Sequence, residues 1–385
     1  MAQQRKEEQT SPGQPEEDSP ANAQVREWDV SHGGWRESPI ERMTMVVPAA
    51  ARLATNLFGG SLLGSGYAVS KAFEGLGLGK TVDNPAFRGG FRAWMWSNGI
   101  FPTVEYEPLG DINGQTGSWG TSQPSAKDVT LTPIIISNHT SYLDGLILAS
   151  VLGCPRIVAM AGSRNVPIVG NIMKDMDVLF VDRGSSSSRQ ATLDAIEGHC
   201  SSWSPGQRPL LIFPEGTTTN GEGLLEFKRG AFTAGVPVRP VVLVYTGNWD
   251  PASTTYRAKG AGLEEISDQE WAAQFLGHFV HSLHVRVLAP YIPSAAERED
   301  PGLFARNCQE HVAAALTRVR AEVKERSWKE RAGRSSGGLG YHFGDLTRTT
   351  ARAARRGLQG FLAPRTRQSG HDGAERAPWW HSEGL

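Results

Sequence analysis

The residues best suited to chemistry are His139 and Asp144, in the segment Asn138-His139-Thr140-Ser141-Tyr142-Leu143-Asp144. An imidazole held at one nitrogen by a carboxylate presents the other as a base that takes a proton from an alcohol. Five residues along a regular helix set two side chains about 140° apart around the axis. The two therefore meet only if His139 lies in a loop and Asp144 in the first turn of the next helix. The flanks fit that arrangement. The apolar run Thr132-Pro133-Ile134-Ile135-Ile136 precedes the pair, and an apolar helical stretch, 145–152, follows it. Taken alone, the pair also fits a structural histidine whose ring is simply satisfied.

Three further segments carry chemistry-bearing side chains at the ends of apolar runs. In Phe213-Pro214-Glu215-Gly216-Thr217-Thr218-Thr219-Asn220-Gly221, proline and glycine set a tight turn. That turn is expected to aim Glu215 and three hydroxyls out of a sheet edge, where open α/β layers bind ligands. Lys228 and Arg229 follow on an expected helix, 227–234, placed to face an anion. The plainer alternative is a polar turn with a capping Glu. In Val178-Leu179-Phe180-Val181-Asp182-Arg183-Gly184, Arg183 at a strand end suits a bidentate grip on phosphate; otherwise it forms a surface ion pair with Asp182. Gly235-Val236-Pro237-Val238-Arg239-Pro240-Val241 is a rigid lead-in to a strand.

Other pattern matches fail on context. Glu74-Gly75-Leu76-Gly77-Leu78-Gly79-Lys80-Thr81 has Glu where a phosphate-binding loop needs its first glycine, and no buried strand precedes it. Gly333-Arg334-Ser335-Ser336-Gly337 matches a hydrolase elbow but lies in a glycine-rich tail without a strand. A metal site on His139, Asp144 and Glu215 lacks a second histidine at ligand spacing.

Positioning these segments requires short buried strands alternating with helices. β-Branched runs at 131–136, 156–160, 177–181, 209–213, 238–245 and 283–288 are expected strands. Helices are expected at 145–152, 188–200 and 227–234, with a closing helix at 301–328. The alternation predicts an α/β class: a layered mixed sheet flanked by helices. Residues 1–40 are acidic and polar and are expected to be a disordered tail. Within 41–105, the apolar stretch 43–69 is long enough to cross a bilayer, but Pro48, Arg52, Asn56 and its glycines favour a re-entrant or interfacial helix pair. Trp94, Trp96 and Phe101 beside Arg88 and Arg92 suit a headgroup region. A soluble helix pair in the core is the alternative.

Residues 106–328 make the expected catalytic domain, with a Gly/Ser-rich loop at 107–127. Residues 329–385 form a basic Gly/Arg-rich tail, in which 346–362 fits either a membrane-contacting helix or a solvated tail. The 385 residues carry a net charge of -1, which gives no signal for nucleic acid as a partner. Three scattered cysteines make neither a disulfide framework nor a zinc spacing. The start of the chain lacks the pattern of a cleaved secretory signal.

The four segments occur in an order and spacing that resembles the glycerophospholipid acyltransferase (PlsC-like) superfamily. Its blocks are His-x4-Asp, a strand ending in an Asp/Arg pair, Phe-Pro-Glu-Gly and Val-Pro-x-x-Pro. More narrowly, FPEGTTTNGEGLLEFKRGAFTAGVPVRPVVLVY is similar to the lysophosphatidylcholine/lysophosphatidylethanolamine acyltransferase branch. The resemblance spans about 43–320. It implies a lysophospholipid O-acyltransferase of phospholipid metabolism, with acyl-CoA as co-substrate, a lysophospholipid acceptor and the membrane bilayer as partners. It also implies no metal or resident cofactor, and an endoplasmic reticulum membrane with the catalytic domain facing the cytosol. Carried over by position, His139 is the general base, Asp144 its orienting partner, and Arg183 a phosphate-side contact. Glu215, Gly216, Thr217 and Lys228 then line the acceptor site. Lysophosphatidate-specific members commonly have Arg where this chain has Thr218, which favours an acceptor bearing a headgroup. The rival expectations are a lysophosphatidate acyltransferase and a silent lipid-binding scaffold.

Overall fold

The computed structural model describes residues 39–335, apart from 110–124, 126, 166–168, 183–185, 220, 222, 247–250, 254–255, 260–261 and 266. The expected tails at 1–40 and 329–385 lie almost wholly outside the described residues, as does the 346–362 helix.

The chain opens with helices α1 (Pro39–Gly75) and α2 (Pro85–Ser97), followed by strand β1 (Ile100–Tyr106). Then come β2 (Ile134–Ser137), α3 (Asp144–Val151), β3 (Arg156–Met160), α4 (Val169–Asp175), β4 (Leu179–Val181), α5 (Ser186–Ser202), β5 (Leu210–Ile212) and β6 (Val238–Thr246). A small hairpin, β7 (Tyr256–Lys259) and β8 (Gly262–Glu265), precedes α6 (Asp268–Gly277) and β9 (His281–Val287). Helices α7 (Ala295–Glu299) and α8 (Pro301–Ser335) complete the described residues.

Seven strands form one sheet in the order β1-β9-β6-β2-β5-β3-β4. Every neighbouring pair is parallel except β6 and β9, which are antiparallel, so the sheet is mixed and the α/β class is the one expected. Successive side chains of a strand face opposite sides, and the central strands sort accordingly. Ile135, Leu211, Val241 and Leu243 pack with Phe87, Phe91 and Met95 of α2 and Ile147 and Leu148 of α3. Ile134, Ile136, Leu210, Ile212, Val242 and Val244 pack with Ile196 of α5 and Phe304, Val312, Leu316 and Val319 of α8. A strand buried on both faces reads as a continuous apolar run, which is why β2 and β6 were legible.

The N-terminal helices depart from expectation. Helix α1 runs through Pro48 and its glycines as a single helix. Two of its glycines, Gly59 and Gly66, are packing sites. A Cβ on Gly66 would lie 2.3 Å from the Ala86 carbonyl oxygen, and one on Gly90 of α2 would lie 2.6 Å from that of Leu62. Only glycine lets these two backbones approach so closely. Arg52, expected as a charge breaking an apolar span, is buried. It donates to the carbonyls of Ser97 and His278, tying α1 to the ends of α2 and α6. The opposite side of α1 exposes Leu53, Leu57, Phe58, Leu62, Val69 and Phe73. Among the described residues no helix is long and apolar enough to cross a membrane. The boundary drawn at 105 falls inside β1, whose edge position accommodates Pro102.

Two further differences concern the C-terminal half. The helix expected at 227–234 is absent; Phe227 and Lys228 are extended, and a short helical turn, Arg229–Ala231, runs into a further turn at 232–234. Its backbone donors go to tertiary partners: Phe227 N donates to Gln309 Oε1 and Lys228 N to the Pro214 carbonyl. Closing helix α8 continues past 328 to Ser335, so the hydrolase-like Gly333 segment starts inside a helix.

Candidate active site

Strand β2 is buried throughout and lies between β5 and β6, so its C-terminal end sits at the centre of the sheet edge. Asn138 extends that pairing by one residue. Its side-chain amide donates to the Leu243 carbonyl at 3.0 Å and its Oδ1 accepts from Leu243 N at 2.8 Å. The chain then leaves the sheet, and His139 is held by its backbone from both sides. Its N–H donates to Glu215 Oε1 at 2.8 Å, and its carbonyl accepts from Thr219 N at 2.9 Å.

Asp144 is the first residue of α3 and is completely buried. Its Oδ2 lies 2.9 Å from His139 Nδ1 and accepts the backbone N–H groups of Thr140 at 2.6 Å and Ser141 at 2.9 Å. The Tyr245 hydroxyl, from β6, donates to its Oδ1 at 2.5 Å. A buried carboxylate is tolerated only with this many donors, and the start of a helix adds favourable dipole. An ionised Asp144 accepts from Nδ1–H, so the His139 lone pair resides on Nε2. The imidazole stacks on Phe213 with centroids 4.1 Å apart, and the side chain keeps 20% of its exposure. The arrangement is an oriented, partly open base.

The Phe-Pro-Glu-Gly turn does something other than expected. Glu215 does not point out of the sheet edge. It is 2% exposed, and its Oε2 accepts from Leu225 N at 2.9 Å while Oε1 takes the His139 N–H. Its carboxylate thus clips the loop after β5 to the loop carrying His139, a supporting role in place of a lining one. Of the three hydroxyl residues, Thr218 and Thr219 are buried and Thr217 is exposed. Gly216 adopts φ +75, the left-handed region that glycine supplies. Exposed Lys228 passes close to it, since a Cβ on Gly216 would meet Lys228 Cγ at 3.7 Å. Lys228 therefore reaches the turn from an extended segment and not from a helix. Arg183 lies outside the described residues.

Burial pushes the Glu215 carboxyl up to about 8, against its two backbone donors, with the Asp144 charge adding to the rise. A carboxyl raised this way binds more protons folded than unfolded between its ordinary value and about 8. Its stabilising contribution is present at low pH and is lost as pH rises through that window. Glu215→Gln removes the titration. The melting temperature of the native chain relative to the variant should therefore fall between about pH 5 and about pH 9. A difference that stays flat across that range would rule the raised carboxyl out.

Sequence patterns missed two contributors. Asn138 is quoted beside His139 but looks like any loop polar residue until its partner, Leu243, is known. Tyr245 ends an apolar run and reads as core; only the β2–β6 pairing brings it over Asp144.

Residues 128–244, which hold most of this site, match the family model described as Acyltransferase. Among curated proteins, the chain is 37% identical to Lysophosphatidylcholine acyltransferase 1 of Danio rerio over 48% of this chain and 34% of that protein. It is 35% identical to Lysophospholipid acyltransferase LPEAT1 of Arabidopsis thaliana over 53% of this chain and 48% of that protein. The chain thus spans between a third and a half of the relatives' length. A crystal structure of the 1-acyl-sn-glycerophosphate (LPA) acyltransferase PlsC from Thermotoga maritima is 17% identical, covering 73% of this chain and 97% of that one with a TM-score of 0.41.

Proposed function

We propose that the chain transfers the acyl group of an acyl-CoA to the free glycerol hydroxyl of a lysophospholipid. The observation that carries this is the His139–Asp144 pair, fixed at the central sheet edge with Nε2 presented as a base. His139 Nε2 takes the hydroxyl proton, and the oxygen attacks the thioester carbonyl carbon. As the tetrahedral adduct collapses, the carbon–sulfur bond breaks and the imidazolium returns its proton to the CoA thiolate. An ester forms, a thioester is consumed, and no acyl-enzyme or metal is required. The lysophospholipid acyltransferase names of the relatives favour this acceptor class. Arg183, Thr217 and Lys228 are the proposed contacts for the acceptor's phosphate side. Glu215 and Gly216 support that turn.

The same proposal places the chain on a membrane surface, its exposed α1 stripe of Leu53, Leu57, Phe58, Leu62 and Phe73 in the interfacial layer. An endoplasmic reticulum bilayer and a cytosol-facing domain belong to the same reading. The test is an assay of radiolabelled oleoyl-CoA against a panel of vesicle-borne lysolipids, with flotation of the vesicles. The expected result is ester formation with lysophosphatidylcholine or lysophosphatidylethanolamine exceeding that with lysophosphatidate, and protein floating with the vesicles. Preference for lysophosphatidate would assign the rival acceptor. Absence of turnover would leave the scaffold, and protein staying at the bottom of the gradient would refute the membrane placement.

A further inference from the structure

Resting on the proposed transfer reaction, we infer that Tyr245 is a positioning residue that acts through Asp144 as a third member of the His139 unit. Its hydroxyl donates to Asp144 Oδ1, the carboxylate oxygen that His139 does not use. The other oxygen, Oδ2, serves His139 Nδ1 and the backbone of Thr140 and Ser141. With donors on both oxygens, the carboxylate has one orientation, and the imidazole facing it has one tautomer. Backbone donors alone would hold Oδ2 and leave Oδ1 buried without a partner, a costly arrangement for a carboxylate.

Placement in the fold strengthens the assignment. Tyr245 lies two residues beyond Leu243 on β6, and Leu243 is the residue that Asn138 grips. One strand therefore anchors the backbone before His139 and the carboxylate behind it. Burial of the hydroxyl, followed by the adjacent Asp144 charge, raises the Tyr245 phenol well above its ordinary value, while the Ser141 side chain pulls it down. The phenol stays protonated, as a standing donor must.

Removing the hydroxyl loosens the Asp144 carboxylate and, through it, the imidazole. The loss falls on kcat and disappears once Asp144 itself is changed, whereas a packing role would persist in both backgrounds.

The test uses the full chain in vesicles. Tyr245→Phe should lower kcat about 10- to 100-fold, the loss of one charge-assisted hydrogen bond. KM for both substrates should stay within about twofold, because the hydroxyl is engaged by Asp144. On an Asp144→Asn background the same substitution should add almost nothing, since the partner through which it acts is gone. Wild-type kcat, or a full additional loss on the Asp144→Asn background, would overturn the assignment. Should Tyr245→Phe fail to fold, a 4-aminophenylalanine placed at 245 keeps the shape with a weaker donor. kcat should then fall with KM unmoved, and a native kcat counts against the assignment. His139→Ala separates the two levels: activity retained there defeats the transfer mechanism itself, whereas activity lost there beside a wild-type-like Tyr245→Phe defeats this inference alone.

Discussion

His139→Ala is expected to abolish acyl transfer, with a fall of about 10³- to 10⁴-fold in kcat/KM, while the protein keeps its fold and its vesicle binding. The magnitude follows from what the side chain does. A positioned base contributes about 10²–10⁴-fold, and without it the glycerol hydroxyl must lose its proton to water. The fold should tolerate the change because the pins at this position are backbone groups. The N–H to Glu215 and the carbonyl from Thr219 survive any side chain. What is lost is the stacking on Phe213 and the Asp144 contact. Turnover of radiolabelled oleoyl-CoA beside the thermal melt decides it. Activity within tenfold of the native chain would exclude His139 as the base.

Asp144→Asn should cost nearly as much activity and, unlike the first substitution, stability as well. An amide at this position presents an NH₂ where the carboxylate accepts. It cannot satisfy the imidazole, two backbone N–H groups and the Tyr245 hydroxyl with one oxygen. Leaving buried donors unmatched costs about 1–3 kcal/mol, and the imidazole is freed to take the wrong tautomer, with a rate loss of about 10³- to 10⁴-fold. The expected outcome is a chain that melts earlier and is nearly inactive, with vesicle binding unchanged. A variant that melts like the native chain and turns over at more than a tenth of its rate would show that Asp144 neither orients the base nor anchors α3.

The junction that brings these two side chains together was legible because both flanks are unambiguous. A run of three isoleucines can only be a doubly buried strand here, and the apolar stretch after Asp144 can only be a short helix against the sheet. The sheet order and the single antiparallel pair were not legible, since nothing local distinguishes β9 as a strand that enters from the other direction. Glu215 shows a different limit. A Pro-Glu-Gly turn specifies where the chain reverses but not on which side of it the carboxylate falls. That depends on backbone donors at His139 and Leu225, which the fold alone delivers. The shape of 227–234 likewise depends on remote partners, since Gln309 and Pro214 fix its entry by accepting from Phe227 and Lys228. In α1, Pro48 and the glycines suggested interruption; packing against α2 makes Gly59 and Gly66 contact surfaces instead.

The pair is five residues apart, yet beyond the Thr140 and Ser141 backbone what holds it is remote. The clip from Glu215 closes a gap of 76 positions, the Asn138–Leu243 grip one of 105, and the Tyr245 contact one of 101. Such contacts are paid for in loop-closure entropy before they return anything, and they form slowly. A ribosome that has released only the first two hundred residues has therefore made the histidine and the aspartate but not Glu215, Leu243 or Tyr245. The pair is fully held only when β6 reaches the sheet, late in synthesis.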